Sequence, residues 1–220
     1  MPTTSLAPKL AAAGIHGAGL VLGLVYLAGG LDVVLGSLAP DASAGRRWLL
    51  ATAGVVYFLR FLVTQFVMLK RAFPWEEAWQ VGIWATILQL GLLWLGGQTA
   101  APLGWVAWAG VALYVVGSYL NTGSEWGRLV FKRDPANQGR LYTGGLFSRS
   151  VHINYWGDTL LFTGFALLTG SWWAAIFPAL MTAMFVGLHI PRQDAHMVEH
   201  YGQPFLDYTA RTKKFIPYVY

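Results

Sequence analysis

Residues 121–132 place an amide, a carboxylate and two cations at helical spacing. Read as a helix, this stretch carries on one face Asn121, Ser124, Glu125, Arg128 and Lys132. These side chains suit the amide, ribose and phosphate groups of a nucleotide cofactor, which offer both donors and acceptors. A solvated helix face has the same composition, and the pattern alone favours that simpler interpretation.

A second polar group follows the turn 140–147. Asn154 and Asp158 lie one helical turn apart, where a later apolar stretch begins. Such a pair can cap a helix. It can equally hydrogen-bond the carboxamide and ribose of a cofactor, and the two interpretations remain open.

A charged residue lies inside the second apolar stretch. A charge at this depth costs free energy in lipid, so we expect Arg60 to face the bundle interior or a wet cavity. Tyr57 precedes it by three residues on the same helix face, where its hydroxyl can donate a proton. Asp32, near the end of the first stretch, either partners Tyr57 or is a solvated residue beyond the span. Snorkelling of Arg60 and simple packing of Tyr57 are the alternatives.

The composition requires a membrane environment for most of the chain. Of the 220 residues, 55% are hydrophobic and 11% are charged, and several apolar stretches reach the roughly 20 residues that cross a bilayer. We predict an all-α polytopic membrane helix bundle of about six spans: Leu10–Leu35, Trp48–Leu69, Ala78–Gly96, Leu103–Leu120, Ile153–Gly170 and Trp172–Ile190. The chain has no cysteine, which excludes disulfides and thiolate ligands, and its histidine spacing predicts no metal site.

The basic residues are distributed unevenly between the predicted loops. With six spans, most lysines and arginines fall on the side shared by the two termini, whereas Arg46 and Arg47 fall on the other. The positive-inside rule therefore predicts that both termini are cytoplasmic, in a bacterial inner membrane. This distribution explains the basic surplus by topology, lipid headgroups and a cofactor, without nucleic acid. The glycine-rich segment 14–19 lies inside the first span, so we interpret it and His16 as structural.

Several motifs, taken together, resemble the membrane steroid 5α-reductase family with its bacterial relatives, and also the sterol C14 and C7 reductases. They are Tyr57-Phe-x-Arg60, Asn121-x-x-Ser-Glu125, Gly144-Gly-Leu-Phe147, His152-Ile-Asn-Tyr-x-Gly-Asp158 and the closing Phe-Ile-Pro-Tyr-Val-Tyr. The resemblance implies an NADPH-dependent reductase of a carbon–carbon double bond in a steroid, sterol or isoprenoid lipid. It further implies one membrane domain in which residues 1–120 contact the substrate and residues 121–220 hold the cofactor.

The resemblance also implies roles for single residues. Tyr57 matches a tyrosine that polarises the substrate carbonyl, with Asp32 in place of the family's glutamate. The matches to cofactor-binding positions are Asn121, Glu125, Lys132, Arg140, Asn154, Asp158, Arg192 and Tyr201, to which the patterns above add Arg60 and Arg128. The sequence departs from the 5α-reductases at Gly123, where they carry a histidine.

Two other functions stay open. Isoprenylcysteine-type methyltransferases, which use S-adenosylmethionine, have a similar Gly202…Tyr208 pattern in the tail, but Ile153 replaces the proline of their Arg-His-Pro motif. A non-catalytic lipid-binding membrane protein is the third possibility, and the concentration of polar groups in two segments argues against it. In each case the expected partner is a lipid-soluble small molecule.

Overall fold

Helices account for the regular structure in the computed structural model, which describes residues 5–32 and 40–219. Within these ranges there is no β-strand, which confirms the all-α prediction. In chain order the α-helices are α1 (Leu6–Leu27), α2 (Ala44–Leu62), α3 (Trp75–Gly97), α4 (Trp105–Arg133), α5 (Ile153–Thr169), α6 (Ile176–Met184), α7 (Ile190–Tyr201) and α8 (Gln203–Arg211). Two π-helical turns continue α2 and α6, over Val63–Met68 and Phe185–His189.

Four helical segments are long and apolar enough to cross a bilayer. They are Leu6–Leu27, Ala44–Met68, Trp75–Gly97 and Trp172–Tyr201. They make the chain a multi-pass integral membrane protein, as its composition indicates. The cytoplasmic position of the termini stays a prediction.

The other two predicted spans fall on helices that are less suited to crossing a bilayer alone. Leu103–Leu120 lies on α4, a 29-residue helix whose second half is polar. Ile153–Gly170 lies on α5, which at 17 residues is at the lower limit for a span. The described residues therefore support four spans, and the count of six stays a prediction.

The first span ends earlier than its sequence suggests. A span reaching Leu35 is predicted, but α1 ends at Leu27. The N–H groups of Gly29 and Gly30 turn back onto the carbonyls of Tyr26 and Val25, each at 2.9 Å, and Gly29 has a φ of +81°. Glycine adopts this left-handed conformation without steric cost, so the turn stops the helix. Residues 33–39 lie outside the described ranges.

The described residues form two compact units. The first contains the residues up to Val111 together with Phe165–Ala175, and the second contains Ala112–Gly164 and the residues from Ile176 onward. The predicted division of roles between residues 1–120 and 121–220 concerns function and stays a prediction.

In the first unit, α1 packs mainly against α3. Small residues allow this approach, because a Cβ added to Gly19 would lie 2.6 Å from Thr86 Cγ2. Arg46 is 2% exposed and donates hydrogen bonds to the carbonyls of Leu168 at 2.6 Å and of Ala101 and Pro102 at 3.1 Å. A residue predicted only as a topology signal is therefore a buried link between three segments of this unit.

In the second unit, the tail is docked, as its apolar and aromatic ending predicts. The N–H of Val151 donates to the Lys213 carbonyl at 2.9 Å, and Phe215 is 2% exposed. Tyr208 is buried on α8 and its hydroxyl donates to the Phe147 carbonyl at 2.5 Å. These bonds hold the chain end against the segment that precedes α5.

Candidate cofactor site

Two glycines let α4 and α5 cross at close range in the second unit. A Cβ on Gly157 would lie 2.5 Å from the backbone N of Asn121, and one on Gly117 would lie 2.5 Å from the Gly157 carbonyl oxygen. Any larger residue would force the helices apart, since carbon contacts settle near 3.5–4.0 Å. The crossing places the polar residues of both helices within hydrogen-bonding distance.

A polar network lies beside this crossing. The Asn121 amide donates to the Asn154 carbonyl at 3.2 Å, and the Asn154 amide donates to Glu125 Oε1 at 3.0 Å. Arg128 pairs with the second oxygen of Glu125. The structure thus brings together four of the predicted cofactor-binding residues, and it does so through direct contacts.

Glu125 is the electrostatic centre of the network. Its side chain is 14% exposed, against 46% for its partner Arg128. Burial raises the pKa of the Glu125 carboxyl above its ordinary value, although the Arg128 guanidinium and the hydrogen bond from Asn154 act in the opposite direction. The result is a carboxylate held at a defined position, where it can accept from a ribose hydroxyl or attract a ligand cation.

A groove of about 570 Å³ opens in the same unit. Among the residues that line it are Arg140, Tyr201 and Arg211. Lys132 Nζ donates to the Tyr201 hydroxyl at 2.9 Å and to the Arg140 carbonyl at 2.6 Å. Three more predicted site residues are therefore connected, and two arginines together with Asp207 line a space large enough for part of a nucleotide.

Lys132 continues the face that carries the network. It lies seven residues after Glu125 on α4, which is two helical turns. From Asn121 to Lys132 this face extends about 16 Å at the usual rise of an α-helix. This helix face thus reaches from the network to Lys132, whose Nζ contacts Arg140 and Tyr201 of the groove lining.

A third contact group in this unit has no counterpart in the sequence prediction. His152 Nε2 lies 2.7 Å from Asp194 Oδ1, and Lys214 Nζ lies 2.9 Å from Asp194 Oδ2. The ring of His152 stacks on that of Tyr155 at a centroid distance of 5.6 Å. The sequence signal was the histidine before Asn154, but its carboxylate partner is 42 residues away and only folding brings it near.

Two more predicted residues of the second unit lie on its helices. Asp158 is half-buried on α5, one turn after Asn154. Arg192 is exposed near the start of α7. Their roles as cofactor ligands stay predictions.

The three predicted residues of the first unit are Tyr57, Arg60 and Asp32. The Tyr57 ring lies 4.8 Å from the ring of His16, halfway along α1, and Arg60 is half-buried one turn later on α2. Asp32 is exposed beyond the end of α1. The eleven helical steps from His16 to Leu27 extend about 16 Å. The pairing of Asp32 with Tyr57 and the alternative of a solvated Asp32 both stay predictions.

The chain is a multi-pass membrane protein whose second unit holds a half-buried asparagine–glutamate network between two crossing helices. Residues 47–212, about three quarters of the chain, match the family described as "Protein of unknown function (DUF1295)". The protein belongs to this family, and the match includes every predicted site residue except Asp32.

The chain is also similar to "Probable O-methyltransferase ustE" of Ustilaginoidea virens. The two are 41% identical over 75 residues, which is 34% of this chain and 26% of that protein. The chain therefore matches about a quarter of the length of this relative. The similarity is to a methyltransferase, and the reductase class implied by the sequence motifs has no support of this kind.

Proposed function

We propose that the protein is an enzyme that transfers a methyl group from S-adenosylmethionine to an oxygen atom of a lipid-soluble substrate. The observation that carries this proposal is the 41% identity over 75 residues with a probable O-methyltransferase. It favours the methyltransferase alternative that the sequence left open. The membrane-spanning helices support a substrate that dissolves in the bilayer.

The polar network fits the chemistry of this cofactor. S-adenosylmethionine presents ribose hydroxyls and an ammonium group, for which Glu125 offers a fixed carboxylate. It also presents a carboxylate, for which Arg128 and Arg140 offer guanidinium donors. Asn154 holds Glu125 in place through its amide, so we assign it a positioning role. When bound, S-adenosylmethionine would supply an activated methyl group for transfer to the substrate oxygen, with S-adenosylhomocysteine and the hydroxyl proton released.

A second candidate is NADPH-dependent reduction of a carbon–carbon double bond. It is favoured by the cations of the groove, since Arg140, Arg211 and the neighbouring Lys132 suit the phosphates of NADPH. In that case Tyr57 would donate a hydrogen bond to the substrate carbonyl, as the family resemblance implies.

Calorimetric titration of the purified protein in lipid nanodiscs separates the two candidates. We expect S-adenosylmethionine to bind and NADPH to bind more weakly or not at all. Asn154→Leu leaves Glu125 without its amide donor, which costs about 1–3 kcal/mol or roughly a 5- to 150-fold loss of affinity. Gln98→Met is the matched control, because it also removes an amide donor, to Tyr26 at 2.6 Å, but in the first unit. Binding of NADPH alone would refute methyl transfer and support reduction.

A further inference from the structure

The first unit contains a polar pair at the middle of its apolar helices. His16 Nε2 and Gln89 Oε1 lie 2.7 Å apart, and both side chains are 0% exposed. His16 is midway along α1, and Gln89 is close to the middle of α3. Both helices belong to candidate membrane spans. Polar groups at such depth are costly unless they pair or bind something.

The hydrogen bond between His16 and Gln89 leaves other polar atoms of these two side chains unused. His16 Nδ1 and Gln89 Nε2 are buried without a hydrogen-bond partner among the described residues. Because Gln89 Oε1 can only accept, His16 Nε2 donates this hydrogen bond, which leaves Nδ1 as an acceptor and the Gln89 amide nitrogen as a donor.

Aromatic rings from α2 enclose the histidine. The His16 ring lies 4.8 Å from that of Tyr57, 5.2 Å from Phe58 and 4.7 Å from Phe61, measured between centroids. Tyr57 and Phe58 are half-buried, so this wall is the part of the enclosure nearest the surface of the unit. Aromatic rings thus surround the His16 side of the polar pair.

The π-helical turn that continues α2 adds an independent observation. π-helical turns occur frequently at functional sites. Gln65 lies in this turn, and its Oε1 is also buried without a described hydrogen-bond partner. Helix α2 and its π-helical turn therefore carry the aromatic rings around His16 and also, at Gln65, another buried polar atom without a described hydrogen-bond partner.

We propose that His16 and Gln89 bind the hydroxyl group of a lipid alcohol. A hydroxyl donates one hydrogen bond and accepts another, which complements the remaining donor and acceptor of the pair. A carbonyl or an ether only accepts, so it would leave one of the two buried atoms unsatisfied. A charged head group is disfavoured at this depth. The aromatic wall packs against the apolar body of the ligand. This site is independent of the cofactor proposed for the second unit.

The test uses three probes of matched size: 1-octanol, heptyl methyl ether and nonane. The protein, labelled with ¹⁵N-histidine, is held in nanodiscs without any cofactor, and the imidazole signal of His16 is assigned by its loss in His16→Asn. We expect 1-octanol to shift this signal at a concentration at least tenfold below that required by the ether, and nonane to have no effect.

Gln89→Met should weaken the response to 1-octanol at least tenfold, whereas Gln98→Met should respond like the parent protein. Equal responses to the alcohol and the ether would overturn the proposal. So would an unchanged response in Gln89→Met, or no response of the parent protein to 1-octanol, which would leave the pair as a link between helices. If Gln89→Met does not fold, the comparison of the three probes on the parent protein decides alone. None of these results depends on S-adenosylmethionine binding.

Discussion

Replacing Gly157 by alanine perturbs the helix crossing that holds the polar network together. The new Cβ would lie 2.5 Å from the backbone N of Asn121 and 2.9 Å from the Gly117 carbonyl oxygen. Both neighbours are backbone atoms and cannot rotate away, so α4 and α5 must separate locally by about 1 Å to restore normal contact. The hydrogen bond from the Asn121 amide to the Asn154 carbonyl, already 3.2 Å long, would then be broken.

Overpacking of this kind costs about 1–3 kcal/mol, and the better helix propensity of alanine offsets about 0.5–1 kcal/mol of it. We therefore expect Gly157→Ala to lower the melting temperature in detergent and to weaken S-adenosylmethionine binding. Gly187→Ala is the matched control, because no atom lies within 4 Å of the added Cβ and the residue is in the same unit. If the two variants melt and bind alike, the crossing does not set the geometry of the site.

Three further predictions concern single contacts, each read from thermal unfolding in detergent. Glu125→Gln should be more stable than the parent protein at pH 7.5, because a carboxyl whose folded pKa is raised favours the folded state only while it is protonated. The gap in stability should close as the pH falls below the ordinary value of about 4.5. A gap independent of pH would contradict the burial of this carboxyl. Arg46→Lys should destabilise the protein by about 1–3 kcal/mol for each carbonyl left without a donor, since one ammonium cannot replace the forked guanidinium, and an unchanged melting temperature would refute that role. Tyr208→Phe should cost about 1–3 kcal/mol because the buried Phe147 carbonyl loses its donor, and no loss would show that this bond does not hold the tail.

The elements of the fold could be predicted from local sequence to a large extent. Apolar stretches of the right length predicted helices where α1, α2 and α3 lie, and helical spacing predicted the polar face from Asn121 to Lys132. The early end of α1 depended on the turn at Gly29, which the apolar residues beyond it concealed. The sequence presents Arg46 only as a topology signal, because its carbonyl partners are distant in sequence.

The candidate site could be predicted only in part, because residue types are visible in the local sequence but contacts between distant residues are not. Asn154 and Glu125 could be singled out by residue type, but their direct contact depends on the crossing at Gly117 and Gly157, which spacing does not reveal. The pairing of Asp32 with Tyr57 is inferred by analogy alone and stays a prediction. The motifs do not distinguish NADPH from S-adenosylmethionine, since the same amides, carboxylate and cations suit both cofactors.

Transfer of a radioactive methyl group tests the proposed function most directly. The purified protein in nanodiscs is incubated with S-[methyl-³H]adenosylmethionine and a lipid extract of the source cells, and radioactivity is counted in the organic phase. We predict that label enters the lipid fraction with the parent protein and that Asn154→Leu lowers the rate at limiting S-adenosylmethionine at least fivefold, while Gln98→Met retains the parent rate. Absence of labelled lipid with the parent protein, together with oxidation of NADPH by the same preparation and extract, would contradict methyl transfer and assign the site to a reductase.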